Sequence, residues 1–228
     1  MFFIFDKNPY IAIIGDIIAS KKISNRSEVQ KELNTVLKAI NLKYKGDIAS
    51  NFTITLGDEF QGLLRNGANI MHILSDIERQ MYPVKIRFGV GIGEITTDIN
   101  REISIGADGP GYYKARAAIQ YLKDNRKKKQ AKSADIRLEI DVDNQAATIM
   151  LNTVLSLITV IKEAWSDRQR EIIFDMLEHQ DNQSEAAKRL SIKQPTVQKT
   201  LSKGNYYTYK DALDTIGQAL GEIRREDV

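Results

Sequence analysis

An α+β fold, a sheet with helices followed by an all-helical unit, is predicted by three features of this 228-residue sequence. Two short apolar runs, YIAII over 10–14 and VKIRFGV over 84–90, have the length and period of strands buried on one or both faces. Between them, TITLGDEFQ over 53–61 reads as a hairpin: Phe52, Ile54 and Leu56 alternate with polar neighbours, Gly57 and Asp58 supply the turn, and Phe60, Leu63 and Leu64 resume a strand. From residue 146 onward, apolar residues recur mostly at helical spacing.

Taken in order, the strand at 10–14 ends at Gly15-Asp16, and Lys21 and Lys22 follow in the connection. Val29, Leu33, Val36, Leu37 and Ile40 mark an amphipathic helix over 27–44, with Ser27 as N-cap and Glu28 in its first turn. The hairpin comes next, then a helix through Ile70, Ile73, Leu74 and Ile77 that ends before Pro83, then the strand at 84–90. Strand, helix, hairpin, helix, strand is the βαββαβ order of a ferredoxin-like sheet, in which the first strand and the hairpin are neighbours. GVGIGE over 89–94 puts glycine at alternate strand positions, which suits either another backbone packed close or a ligand approaching. GADGPG is a loop feeding a helix over 113–122 that carries Lys114 and Arg116, and a last strand passes through Ile136, Leu138 and Ile140. The chain is long enough for a large domain and a small one, divided here as 1–144 and 145–228.

Composition narrows the chemistry. Apolar residues make up 42% and charged residues 28%, the mixture of a folded globular chain. The sequence has no cysteine and only two histidines, which leaves hard cations held by carboxylates as the chemistry to expect. The opening MFFIF is too short for a secretory apolar core, and no run approaches the ~18 apolar residues of a spanning helix, so a cytoplasmic protein with no membrane partner is expected. A net charge of +3 says little about nucleic acid until its distribution is considered.

That distribution is uneven. Arg126, Lys127, Lys128 and Lys129 form a run that reads as a solvated loop or as a contact for a triphosphate or nucleic acid. Between Ala186 and Lys210 there is no acid, while Lys188, Arg189, Lys193, Lys199, Lys203 and Lys210 are basic. Two short helices there, with a break at 191–193 and Pro195 in the first turn of the second, suggest a helix-turn-helix over about 183–203. Lys193, Gln194, Thr196, Gln198, Lys199 and Lys203 would face DNA, and a purely structural pair is the alternative. A final helix is expected over 209–224. At the other end of the chain, Asp16 and the turn carboxylates Asp58 and Glu59 are placed to share a divalent cation. The Gly-rich loop around Asp108, leading to Lys114, is suited to an anion.

The stretches IAIIGDIIASKK, FTITLGDEFQGLL, IRFGVGIGEITT and ISIGADGPGYYKARAAI, followed by the helix-turn-helix, resemble the SatD family of bacterial proteins over nearly the whole chain. The same N-terminal stretches resemble, more distantly, the palm shared by class III nucleotide cyclases, GGDEF diguanylate cyclases and the type III CRISPR polymerase. That resemblance implies a nucleotidyl cyclase or palm-type sheet with two Mg²⁺ or Mn²⁺ ions, held by Asp16, Asp58 and the carbonyl of Ile17, and with a nucleoside triphosphate as ligand. It implies catalytic roles for Glu59 and Arg116, the latter steadying the transferring phosphate. Gly57, Lys21, Lys22, Asp108, Lys114, Arg126 and Lys128 are then the expected nucleotide contacts. Leu56 stands where GGDEF has its first glycine, Tyr112 where cyclases have asparagine, and Ile54 where adenylyl cyclases select the purine with lysine. The function implied is a metal-dependent nucleotidyl cyclase or oligonucleotide-forming nucleotidyltransferase, expected as a homodimer, coupled to DNA binding. The alternative is a non-enzymatic transcriptional regulator whose degenerate palm senses a nucleotide.

Overall fold

The computed structural model describes residue 3 and residues 9–127 and 134–223. It is α+β, with five strands among the described residues forming one mixed sheet of order β2-β3-β1-β4-β5. Strand β1 (Tyr10–Ile17) is central and buried along almost its whole length, which is why its sequence is continuously apolar rather than alternating. Helix α1 (Arg26–Lys43) buries Val29, Leu33, Val36, Leu37 and Ile40 against the sheet. Its N-cap is Asn25, not Ser27, and no side chain caps it. Strands β2 (Ile48–Leu56) and β3 (Glu59–Leu64) meet at Gly57-Asp58, where Gly57 adopts φ 59°, a left-handed value that favours glycine. Two details depart from the expected hairpin: Leu56 is 71% exposed instead of buried, and Glu59 is not on the tip but opens β3 at 6% exposure.

Helix α2 (Ile70–Met81) leads to β4 (Ile86–Gly93), which starts later than the periodicity suggests and runs on through the glycines. Helix α3 (Pro110–Lys127), longer at both ends than expected, crosses to β5 (Ile136–Glu139), which lies parallel to β4. The other pairings, β1 with β3, β1 with β4 and β2 with β3, are antiparallel.

Register decides what each face carries. Tyr10, Ala12, Ile14 and Asp16 lie opposite Gly93, Gly91, Gly89 and Arg87 of β4, and paired residues share a face. This is the face that α3 covers. A Cβ on Gly89 would lie 2.3 Å from the carbonyl oxygen of Ala115, and one on Gly91 2.1 Å from that of Gly111. Of the two explanations for GVGIG, close backbone packing therefore accounts for the glycines. On the opposite face, Ile11, Ile13 and Ile17 join α1 and α2 in the main core. The Phe60 ring there occupies the place of a Cβ on Gly15 and meets Phe52 and Phe88 edge-on.

The second half is helical: α4 (Gln145–Glu163), α5 (Asp167–His179), α6 (Gln183–Arg189), α7 (Gln194–Lys203) and α8 (Tyr206–Leu220). The last begins three residues before its expected start, and residue 224 lies outside the described residues. The Asn152 amide on α4 accepts from the backbone N–H of Leu138 and donates to its carbonyl, both at 2.8 Å, which satisfies the outer edge of β5. By length and composition alone α4 is apolar enough to cross a membrane, which corrects the expectation that no segment approaches that length. Here, however, it packs Leu151, Leu155 and Ile158 into the core and buries an ammonium, Lys162. One continuous apolar cluster includes residues from before and after position 145.

Candidate functional site

Asp16 reaches the end of the α3-covered face because its strand partners are Glu59 on one side and Arg87 on the other. Beyond it the backbone N–H of Ile17 donates to the carbonyl of Asp58 at 3.0 Å, which brings the hairpin turn against the first strand. The chain then turns through a 3-10 segment, Ser20–Lys22. Together these elements and the end of α3 enclose a cleft of about 550 Å³. Six predicted residues line it: Asp16, Ile17, Lys21, Lys22, Asp58 and Arg126.

Two lining residues were missed in the sequence, and both act on Asp16. Lys123 Nζ lies 2.8 Å from one carboxylate oxygen and Arg87 Nε 3.0 Å from the other. Arg87 is 9% exposed, and burial pushes its guanidinium below the usual arginine value while Asp16 opposes that shift. The signals were present. Arg87 is the one charged residue in β4 and falls on the glycine face, and Arg116, Gln120 and Lys123 are spaced i, i+4, i+7 on α3. Asp58 accepts a hydrogen bond from the Ser20 hydroxyl and lies 3.8 Å from Arg26.

The other predicted residues are distributed differently. Glu59 is ion-paired with Arg116 at 2.6 Å, beside the cleft but not in its lining. Gly57 receives the Gln30 amide on its carbonyl and shapes the turn. Lys114 sits at the opposite end of the sheet, donating to the carbonyl of Ile92 at 2.8 Å and pairing with Asp141. Along α3 it lies about 14 Å from Lys123, at 1.5 Å per residue. Asp108 accepts from the Tyr113 hydroxyl at 3.0 Å in that same region, where the N–H of Gly111 already donates to the carbonyl of Glu94. The Gly-rich loop thus serves the seating of α3 and does not meet the cleft. Lys128 lies outside the described residues. Tyr112 is buried, burial pushes its phenol up, and it packs with Ala12 and Ile14. Ile54 packs against the main core.

A two-cation centre fits these residues poorly. Such a site needs carboxylate oxygens free to bridge metals. Both oxygens of Asp16 face cations, and strand register brings Arg87 opposite it in an ion pair, although its Nε is not aligned for a hydrogen bond. Among the described residues no group of three or more His, Asp or Glu side chains is arranged to hold a metal. What the cleft does offer is charge for an anion: five cationic side chains against two carboxylates.

In the helical half, α6 is capped by Asn182, whose side chain accepts from the N–H groups of Ser184 and Glu185. Ala186, Ala187, Val197 and Leu201 are buried between the short helices and their neighbours. Lys193, Gln194, Thr196, Gln198, Lys199 and Lys203 are all exposed. The basic segment is less uniform than its sequence: Lys188 pairs with Glu185, Arg189 with Asp175 and Asp181, and Lys210 with Asp214. Lys193, Lys199 and Lys203 have no acidic partner among the described residues. The Trp165 indole donates to the carbonyl of Gly204 at 2.7 Å, fixing the end of α7 to the core.

The SatD family model matches residues 10–210, and the chain belongs to that family. No curated protein matches it. Among solved structures it is similar to a regulator of polyketide synthase expression from Bifidobacterium adolescentis, at 10% identity and a TM-score of 0.29, over 96% of this chain and 88% of that one. A likeness that slight carries neither fold nor function across.

Proposed function

We propose that this SatD-family protein is a nucleotide-responsive regulator: a ferredoxin-like, palm-type sheet whose cleft takes the phosphates of a nucleotide, joined to a helix-turn-helix, α6 and α7, that binds DNA. The observation that carries the reading is the capture of Asp16 by Arg87 and Lys123, which turns a position suited to metal catalysis into part of a cationic cleft. On the DNA side, Lys193, Lys199 and Lys203 stand on and beside α7 without an acidic partner among the described residues, where phosphates of a duplex would meet them. A homodimer belongs to the reading, since two recognition helices read two half-sites. Sedimentation of the full chain tests it.

DNA titrations at several salt concentrations test the rest. Replacing Lys193, Lys199 and Lys203 together by alanine is expected to weaken binding to any duplex and to reduce the slope of log affinity against log salt by about 3, roughly 1 per phosphate contact. An unchanged slope would remove α7 from the interface. Adding ATP should shift DNA affinity without ATP being consumed.

A second reading keeps the enzyme, a Mg²⁺- or Mn²⁺-dependent nucleotidyl cyclase or nucleotidyltransferase, and draws on the contact between the Asp16 and Asp58 segments. It requires Lys123 and Arg87 to release Asp16. Turnover of any NTP with either cation, abolished by Asp16→Ala, would establish it.

A further inference from the structure

We infer that the cleft beside Asp16 binds an oligophosphate anion directly through Arg87, Lys123, Lys21, Lys22 and Arg126, without a divalent cation. The inference rests on the reading of this cleft as the nucleotide site and specifies how the phosphates are recognised. Each cation has a distinct place. Arg87 is held on the sheet by its pairing opposite Asp16. Lys123 comes from α3 and is about one-third exposed at its side chain, so it can leave Asp16 for an incoming phosphate. Lys21 and Lys22 come from the 3-10 segment and Arg126 from the last turn of α3, all three exposed and without a carboxylate partner among the described residues.

These cations do the charge neutralisation that a metal ion performs in phosphate sites elsewhere. A monophosphate would engage only part of a cleft of about 550 Å³ with cations on several sides. A chain of phosphates can meet both the α3 side and the 3-10 side at once. In this arrangement Asp16 orders Arg87 and Lys123 while the cleft is open, and competes with the ligand for them. Its charge therefore opposes binding, the reverse of a metal ligand's role. An oligophosphate can belong to a nucleotide or be inorganic, and both present the same charge.

Calorimetric titration of the full chain with inorganic tripolyphosphate and with ATP, each in EDTA and in excess Mg²⁺ or Mn²⁺, tests this. Binding is expected in EDTA, and no stronger with the cation, which neutralises the ligand's own charge. Asp16→Asn should tighten binding by about tenfold and Lys123→Met, on a partly exposed side chain, should weaken it by about tenfold. Equal affinity for the two ligands assigns recognition to the phosphates alone, and a preference for ATP adds a contact to the nucleoside; both agree with the inference. Binding that requires Mg²⁺ or Mn²⁺ and is lost in Asp16→Asn overturns it, while leaving a nucleotide-responsive regulator standing. No binding of either ligand under any condition overturns it together with the nucleotide half of the proposed function, and the DNA titrations then decide the other half alone.

Discussion

Replacing Lys162 by methionine is expected to cost about 3–5 kcal/mol of folding stability, the range for breaking a buried ion pair by removing one partner. The Lys162 ammonium is 6% exposed, is bonded to Glu78 at the end of α2, and lies 3.2 Å from Asp135 before β5. Burial alone would lower its pKa, but the two carboxylates outweigh that and hold it above the ordinary lysine value. Because the folded value is the higher one, the stabilisation is fully present below the free-lysine pKa of about 10.4 and is lost only as pH rises through the folded value. Methionine keeps the stem's apolar contacts and removes the ammonium that pairs with both carboxylates. Urea denaturation at neutral pH measures the loss. The triple variant Lys162→Met, Glu78→Gln, Asp135→Asn should recover a substantial part of it, since no buried charge then remains uncompensated. By contrast, removing Lys188 from its exposed pair with Glu185 should cost less than about 1 kcal/mol. A loss that small at Lys162 would mean that water reaches the junction and that α4 is not docked as described.

The sheet was legible in the sequence because its signals are local. Five alternating or continuous apolar runs, a Gly-Asp turn and two helical stripes give the element order, and the order of a split βαβ places the hairpin beside the first strand. The contact between the Asp16 and Asp58 segments followed from that order. The partners of Asp16 did not, because Arg87 comes opposite it only through the β1–β4 register, and Lys123 only through the seat of α3 on the glycines. A basic residue in a strand and a lysine near a charge run look solvated until those two placements are known. The acid-free segment before Lys210 misled in another way. Its bases answer acids that lie outside it, such as Asp175, Asp181 and Asp214, so local charge overstated the free cationic surface. Glu59 shows the limit of reading a turn from sequence: one residue past Asp58 it is already within β3, 6% exposed and paired with Arg116.

Gly91→Ala should cost about 3 kcal/mol, the upper part of the usual range for an overpacked core, and disable the cleft along with it. The added methyl would lie 2.1 Å from the carbonyl oxygen of Gly111 and 2.3 Å from the nitrogen of Ala115. Both are backbone atoms of α3, so no side chain can rotate away, and the helix itself has to lift from β4. Gly89 prevents a compensating slide, since the oxygen of Ala115 lies only 2.3 Å from the place of its own Cβ. Arg116, Lys123 and Arg126 all ride on α3, so lifting it draws Lys123 from Asp16 and opens the cationic cleft even in molecules that stay folded. Thermal unfolding and tripolyphosphate titration should therefore fall together in this variant. Gly46→Ala, where nothing lies within 4 Å of the new methyl, should leave both unchanged. Should Gly91→Ala match the wild type in stability and in anion affinity, α3 would not be seated on the glycines, and the placement of Lys123 beside Asp16 would fall with it.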